Sequence, residues 1–291
     1  MAQASVNGIE IAYEVEGSGP PLLLVMGLGG QLTDWPEAFV AQLAERFTVV
    51  RFDNRDAGLS TISSAPPPER SAFLKALFRP RSVDAPYRLA DMADDAAALM
   101  RHLDLGPTHV VGMSMGGMIA QLLALDHGDR VASLCSIMSH TGNPRTGRPA
   151  PRIMRLLARR VEPSRESAVE ASLAFFAEIG GRDWDRDEHR QRAEQSVARA
   201  FNPAGILRQS LAIATAPDRT GRLADVGAPT LVVHGLDDTL VVPSGGVATT
   251  KAIPGSRLLM FPAMGHDIPS TRHREIVDAI AANADRSSIS V

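Results

Sequence analysis

Val110-Val111-Gly112-Met113-Ser114-Met115-Gly116-Gly117 is the stretch on which the reading of this chain turns. Gly112 to Gly116 fits Gly-x-Ser-x-Gly, the pattern of a serine carried on a sharp strand-to-helix turn. A mostly apolar run, Thr108 to Val111, comes before it and a helix-like run, Met115 to Leu125, follows. In that setting the serine takes up strained backbone geometry. Glycines two before and two after let neighbouring backbone approach without a Cβ clash. The hydroxyl then stands above the sheet, and the N–H of Met115 lies at the start of a helix, where a developing oxyanion would sit.

The flanking sequence repeats strand-then-helix units. Pro21 to Met26 is a continuous apolar strand, Phe47 to Phe52 the next, and Val131 to Met138 another. Ile9 to Val15 alternates and reads as an edge strand after a turn at Asn7-Gly8. Helical patterns cover Asp34 to Arg46 and Leu89 to Leu103, while 61–86 reads as a long irregular excursion. Strands alternating with helices predict an α/β fold, a mostly parallel central sheet with helices on both faces. The alternation stops near residue 141 and resumes at Pro229. The expected division is therefore a core of residues 1–140 and 216–291, with 141–215 a helical cap inserted after a core strand, over the sheet edge where ligands bind.

A serine is a weak nucleophile until a base takes its proton and a third group orients that base. In this kind of fold the order along the chain is serine, acid, histidine. Two downstream loops satisfy it: His234-Gly235-Leu236-Asp237-Asp238 and Ala263-Met264-Gly265-His266-Asp267, each following a predicted strand. His266 is the expected base. Of the two acids, the spacing favours Asp238, with Asp237 supporting the turn. Asp53 and Asp56 precede the serine and are read as structural. Of the other histidines, His234 is expected to be a packed strand end, and His189 and His273 to lie on solvated helix faces. The second oxyanion donor is expected from Gly27-Leu28-Gly29-Gly30, with the N–H of Leu28 as the choice beside Met115. Trp35, Met113, His140 and Met264 are the candidate substrate-binding side chains; for Trp35, packing at a helix start is the equal alternative.

The 291 residues are 44% hydrophobic and carry a net charge of −3, which suits one globular domain and gives no electrostatic reason for nucleic acid or an anionic membrane as partner. No apolar run approaches the roughly 20 residues needed to span a bilayer, and the N-terminus lacks a signal-peptide pattern. A cytoplasmic protein, monomer or weak homodimer, is expected. The single cysteine, Cys135, lies in an apolar run and reads as a buried core residue. The Gly-rich loop lacks phosphate-binding spacing. No metal or organic cofactor is called for.

With these pieces assembled, the chain resembles the α/β-hydrolase superfamily over nearly its whole length. Leu22 to Gly27 is similar to its oxyanion strand, and Asp53-Asn54-Arg55-Asp56-Ala57-Gly58-Leu59-Ser60 to its Asp-x-Arg-Gly-x-Gly-x-Ser loop. Met26 stands where a histidine is usual, and Asp56 where a glycine is usual. Both departures, and Ala263 to Ser270, resemble the aclacinomycin methylesterase subgroup. The resemblance implies an ester hydrolase with a helical cap, Ser114 as nucleophile, Asp238 and His266 as its partners, and Leu28 and Met115 as oxyanion donors. Its substrate would be a small-molecule ester. A carbon–carbon bond hydrolase using the same three side chains is the enzymatic alternative. A non-catalytic ligand-binding sensor is the alternative from another class.

Overall fold

The computed structural model describes residues 1–158 and 164–289. The apolar runs become strands β1 (Ala2–Val6), β2 (Ile9–Glu16), β3 (Pro21–Val25), β4 (Thr48–Phe52), β5 (Thr108–Met113), β6 (Val131–Ile137), β7 (Thr230–Gly235) and β8 (Arg257–Phe261). They form one sheet in the order β1-β2-β4-β3-β5-β6-β7-β8. β1 and β2 pair antiparallel, as do β2 and β4; the pairs from β4 through β8 are parallel. The central strands β3, β5, β6 and β7 are almost wholly buried, as continuous apolar runs covered on both faces should be. Cys135 is free and buried within β6.

Two expectations are corrected at the N-terminal half. The edge strand is β1, and β2 lies inside it. The two join through Asn7-Gly8, where both residues have positive φ (50° and 77°), the geometry of a tight hairpin turn. The first helix, α1 (Glu37–Ala44), starts later than Asp34. Pro36 biases Trp35 toward extended backbone, so the chain completes a short 3-10 turn at Leu32–Asp34 before the helix begins. The 61–86 excursion also contains a helix, α2 (Arg70–Phe78).

The remaining helices are α3 (Leu89–His102), α4 (Met115–Asp126), α5 (Pro151–Ala158), α6 (Ala168–Ile179), α7 (Arg186–Arg199), α8 (Pro203–Ala214), α9 (Ser244–Ala252) and α10 (His273–Ala284). α3 and α4 bury Leu89, Met92, Ile119 and Leu123 against one face of the sheet. α1 and α10 bury Phe39, Leu43, Ile276 and Ile280 against the other. Helices α5 to α8 lie between β6 and β7; within the stretch expected to form a cap, residues 159–163 fall outside the described residues. No helix among the described residues is long and apolar enough to cross a membrane.

The chain runs from β3 to β4 on one side, then crosses to β5 on the other. Loops leaving β3 and β5 therefore diverge and open a crevice at the C-terminal sheet edge. The Gly27–Gly30 and Ser114 loops lie at that crevice.

Candidate active site

Ser114 joins β5 to α4 with φ 57° and ψ −117°, a backbone conformation side chains rarely adopt. The surroundings enforce it. A Cβ on Gly116 would collide with the carbonyl of Val25, and one on Gly112 with the carbonyl of Gly116. The N–H of Ser114 donates to the Ile137 carbonyl on β6 at 2.8 Å. Strand, Ser114 and helix are thus wedged between β3 and β6, and Ser114 keeps partial exposure.

Ser114, His266 and Asp238 come together from three separate loops. His266 Nε2 lies 2.9 Å from Ser114 Oγ, and its Nδ1 2.7 Å from Asp238 Oδ2. An ionised carboxylate only accepts, so Nδ1 carries the proton, Nε2 offers its lone pair, and the serine hydroxyl donates. Asp238 and His266 are both buried, at 2% and 4% exposure. The other Asp238 oxygen accepts from the N–H groups of Leu240 and Val241 at 2.9 and 2.8 Å, which fixes the carboxylate plane. Asp237 instead pairs with Arg182 at 2.8 Å. His234 donates from Nε2 to the Val241 carbonyl at 2.7 Å; burial holds its pKa below the usual range, and Asp238 opposes this only in part.

The loop after β3 is a tight turn. Gly30 N–H donates to the Gly27 carbonyl at 3.2 Å, and Gly29 has φ +70°. A positive φ at the third position is the mark of a type II turn and favours glycine there. Gly27 packs against Ser114, and Leu28 is the next residue of the turn. Among the described residues neither Leu28 N–H nor Met115 N–H donates to another protein group. The Asp53 loop braces this turn from below. Asp53 accepts from Leu32 N–H at 2.7 Å and Leu59 N–H at 2.9 Å, and Asn54 donates to the Met26 carbonyl at 3.0 Å.

The four substrate-binding candidates divide. Met113 is partly buried at the elbow, and His140 is partly exposed at the end of β6. Burial, with Arg219 and His234 nearby, pushes the His140 pKa down to about 4, so its ring stays neutral at ordinary pH. Its Nδ1 accepts from Gly142 N–H at 2.9 Å, which leaves the proton on Nε2. Trp35 and Met264 are corrections. Both have 0% exposure and sit in the hydrophobic layer under α1 and α10. The Trp35 ring stacks on Phe39 at 6.0 Å, because the turn into Pro36 directs the indole inward. His189 and His273 are corrected too. His189 packs on Phe176 at 4.1 Å and bonds Ser172, while His273 packs on Phe39 at 5.5 Å.

The structure adds polar residues from α7 and α8 that the pattern of the sequence did not single out. Arg208 pairs with Asp56 at 2.7 Å, both almost fully buried, and Tyr87 donates to the same carboxylate at 2.6 Å. Burial opposes ionisation of Asp56, yet Arg208, Tyr87 and Ser63 outweigh it and hold its pKa low. The unusual aspartate is thus the core's anchor for α8. Arg199 reaches Asp53 and Gln31 at 2.8 Å each. Arg192 reaches Asp267, beside His266, at 3.2 Å. On another side, the Gly265 and His266 N–H groups donate to the Gly180 and Ile179 carbonyls at 2.9 and 2.7 Å, tying the histidine loop to the end of α6.

Similar proteins carry this arrangement's fold across the whole chain. Rhodomycin D methylesterase DnrP of Streptomyces peucetius is 27% identical, with 99% of this chain and 100% of the relative covered. The putative carbamate hydrolase RutD of Caulobacter vibrioides is 30% identical, with 97% of each covered. The crystal structure of the enol-lactonase from Burkholderia xenovorans LB400 superposes with a TM-score of 0.73 at 22% identity, covering 97% of this chain and 99% of that one. The family described as alpha/beta hydrolase fold matches residues 20–272, and the chain belongs to that family.

Proposed function

We propose that the chain is a serine hydrolase that cleaves a carboxylic ester of a hydrophobic small molecule, a methyl ester being the form favoured by its likeness to rhodomycin D methylesterase. The observation that carries this reading is the hydrogen-bonded sequence Asp238, His266, Ser114, with a serine hydroxyl donating into an unprotonated imidazole nitrogen.

In the proposed mechanism His266 Nε2 takes the Ser114 proton as Oγ attacks the ester carbonyl. The N–H groups of Leu28 and Met115 stabilise the tetrahedral oxyanion. His266 then protonates the leaving alcohol, and an acyl group remains on Ser114. Water, deprotonated by the same imidazole, attacks the acyl carbonyl, and His266 returns that proton to Ser114 Oγ as the bond to the acyl group breaks and the acid leaves. Asp238 keeps the proton on Nδ1 in the resting state and stabilises the imidazolium that forms in each half-reaction. The chemistry draws on the chain's own groups and water. Residues 141–215 act as a cap that sets which esters enter. Met113 supplies apolar contact, and the neutral His140, with its proton on Nε2, supplies a hydrogen bond to the substrate.

Ser114→Ala is the direct test. Turnover of p-nitrophenyl acetate is expected to fall by about 10⁴- to 10⁶-fold, and covalent labelling by a fluorophosphonate, present in the parent, is expected to vanish. Parent-like turnover in the variant, or a parent that resists the phosphonate, would overturn the assignment.

A further inference from the structure

Gln209, on α8, reaches the turn that carries the proposed oxyanion donor. Its Oε1 accepts from Gly29 N–H at 2.7 Å, across 180 residues of sequence. Its Nε2 donates to the Arg55 carbonyl at 2.8 Å. The side chain has no exposure to solvent. The amide orientation is determined from both ends. A flipped amide would face its NH2 to an N–H and its oxygen to a carbonyl, and both bonds would be lost.

The bonded N–H belongs to the central peptide of the Gly27–Gly30 turn, the unit between Leu28 and Gly29. A type I and a type II turn differ by a flip of that central peptide. Only one of the two directs Gly29 N–H to an acceptor on α8, so Gln209 holds the turn in the form with Gly29 at positive φ. Ile206, about one helical turn earlier on α8, packs on Gly29 itself and leaves no room for a side chain there. Leu28 N–H lies in the adjoining peptide. An oxyanion donor works by being aimed before charge develops, so a mobile central peptide weakens it without touching the nucleophile.

We infer that Gln209 is a positioning residue for the oxyanion hole: the inserted helix α8, and not the core alone, sets the conformation in which Leu28 N–H receives the oxyanion. The inference rests on the ester-hydrolase reading above. Its consequence is that binding of the tetrahedral transition state, more than binding of the ester, depends on α8 being docked.

The test compares Gln209→Met, which keeps length but neither hydrogen bond, with Gln209→Glu, which keeps an oxygen facing Gly29 N–H and, its carboxyl protonated in so buried a place, an O–H facing the Arg55 carbonyl. Asn202→Ala serves as control, because it removes the N-cap of α8 and one bond to the Asp56 carbonyl while the Arg208–Asp56 pair still docks the helix and the turn is untouched. For Gln209→Met, kcat is expected to fall roughly 10- to 100-fold with KM within about twofold. Gln209→Glu should stay within about fivefold of the parent kcat. Asn202→Ala should lower Tm and leave kcat unchanged. An unchanged kcat in folded Gln209→Met, an equal loss in Gln209→Glu, or the same kcat loss in Asn202→Ala would each overturn the inference. Amide hydrogen exchange in the parent supplies a measurement that no folding defect can obscure. Gly29 N–H should exchange slowly, and Leu28 N–H should become protected only when a phosphonate occupies Ser114. Rapid exchange at Gly29 would overturn the bond on which the inference stands. Failure of the parent to react with the phosphonate would instead overturn the hydrolase reading, and the Gly29 exchange would still report on Gln209.

Discussion

Around Ser114 the backbone is held by lack of space, whereas α7 and α8 are held to the core by charge and hydrogen bonds. At the elbow, Gly112 and Gly116 let β3, β5 and α4 come closer than any side chain allows, and few polar side chains take part. At the docking surface of α7 and α8, half-buried Arg199 and the buried Arg208 and Gln209 meet Asp53, Asp56, the Gly29 N–H and the Arg55 carbonyl. The elbow has one way to exist. The docking surface is a set of directional bonds to loops that themselves border the site, so it can transmit a change in one helix to the loop it grips.

The largest effect expected from breaking this contrast is at the elbow. Gly116→Ala places a methyl group against the Val25 carbonyl, a backbone atom that cannot turn aside. The variant should lose soluble expression or show a broad, early unfolding transition by circular dichroism. A folded, active Gly116→Ala protein would show that space is not what holds the elbow.

Next comes the buried pair. Arg208→Met leaves Asp56 almost fully buried beside only Tyr87 and Ser63, which should cost about 3–5 kcal/mol in urea unfolding. The sign with pH follows from the lowered pKa of Asp56. In the parent its contribution is present above the ordinary carboxylate range and is lost as pH falls through the lowered value. Adding Asp56→Asn to Arg208→Met should recover part of the loss, since no charge is then buried alone. A loss below about 1 kcal/mol in Arg208→Met would place the pair with surface ion pairs and remove the contrast.

The smallest effect is expected at Asp34, which links the two regions by accepting from Gln31 N–H at 2.7 Å and from Ser196 of α7 at 3.2 Å. Burial raises its pKa from 3.8 to about 6, against the pull of Gln31, Ser196 and Arg192. A raised carboxyl pKa stabilises the fold below about pH 4, and that contribution is lost as pH rises through about 6. Asp34→Asn keeps an acceptor oxygen and removes the charge. Its Tm should exceed that of the parent by about 2–4 °C at pH 8 and match it near pH 4. A gain that did not shrink with acid would show that the carboxyl is not what limits this contact.

The difference between the two regions also decides what the sequence could reveal. The elbow is local: two glycines, a serine, a strand before and a helix after lie within a dozen residues, and each states its constraint in its own identity. Ser114, Asp238 and His266 follow the same logic, since each sits just past a strand and the sheet brings the strand ends together. The sheet core was legible for the same reason, down to the buried runs of β3, β5, β6 and β7. β1 was not, because the alternation of Ala2-Gln3-Ala4-Ser5-Val6 is short and its apolar members are small, and only pairing with β2 reveals it. Trp35 and Met264 were read as site residues from closeness in sequence to the loops, but one turn of backbone separates the crevice from the layer beneath it. Arg199, Arg208 and Gln209 carried no local signal at all. An arginine or glutamine on a helix looks the same in sequence whether it meets water or a buried carboxylate, and the partners here lie more than a hundred residues away.

The strand-like contact between Gly181 and Met264, with the neighbouring backbone bonds from Gly265 and His266 to α6, has a bearing on how such a chain can be recombined. Main-chain bonds make no demand on side-chain identity, so an insertion taken from a distant relative can form this seam and leave the histidine loop undisturbed. The seam on the opposite side of the site is written in Arg208, Gln209 and Asp56, and a foreign insertion restores it only where it carries side chains that meet Asp56 and the Gly29 N–H. A chimera made by exchanging whole insertions without such a match would then keep the contacts of Ser114 and His266 yet lose the bond that holds the Gly27–Gly30 turn. An exchange that ends before Asn202, and so retains the native α8, would keep both seams while changing the rest of the insertion.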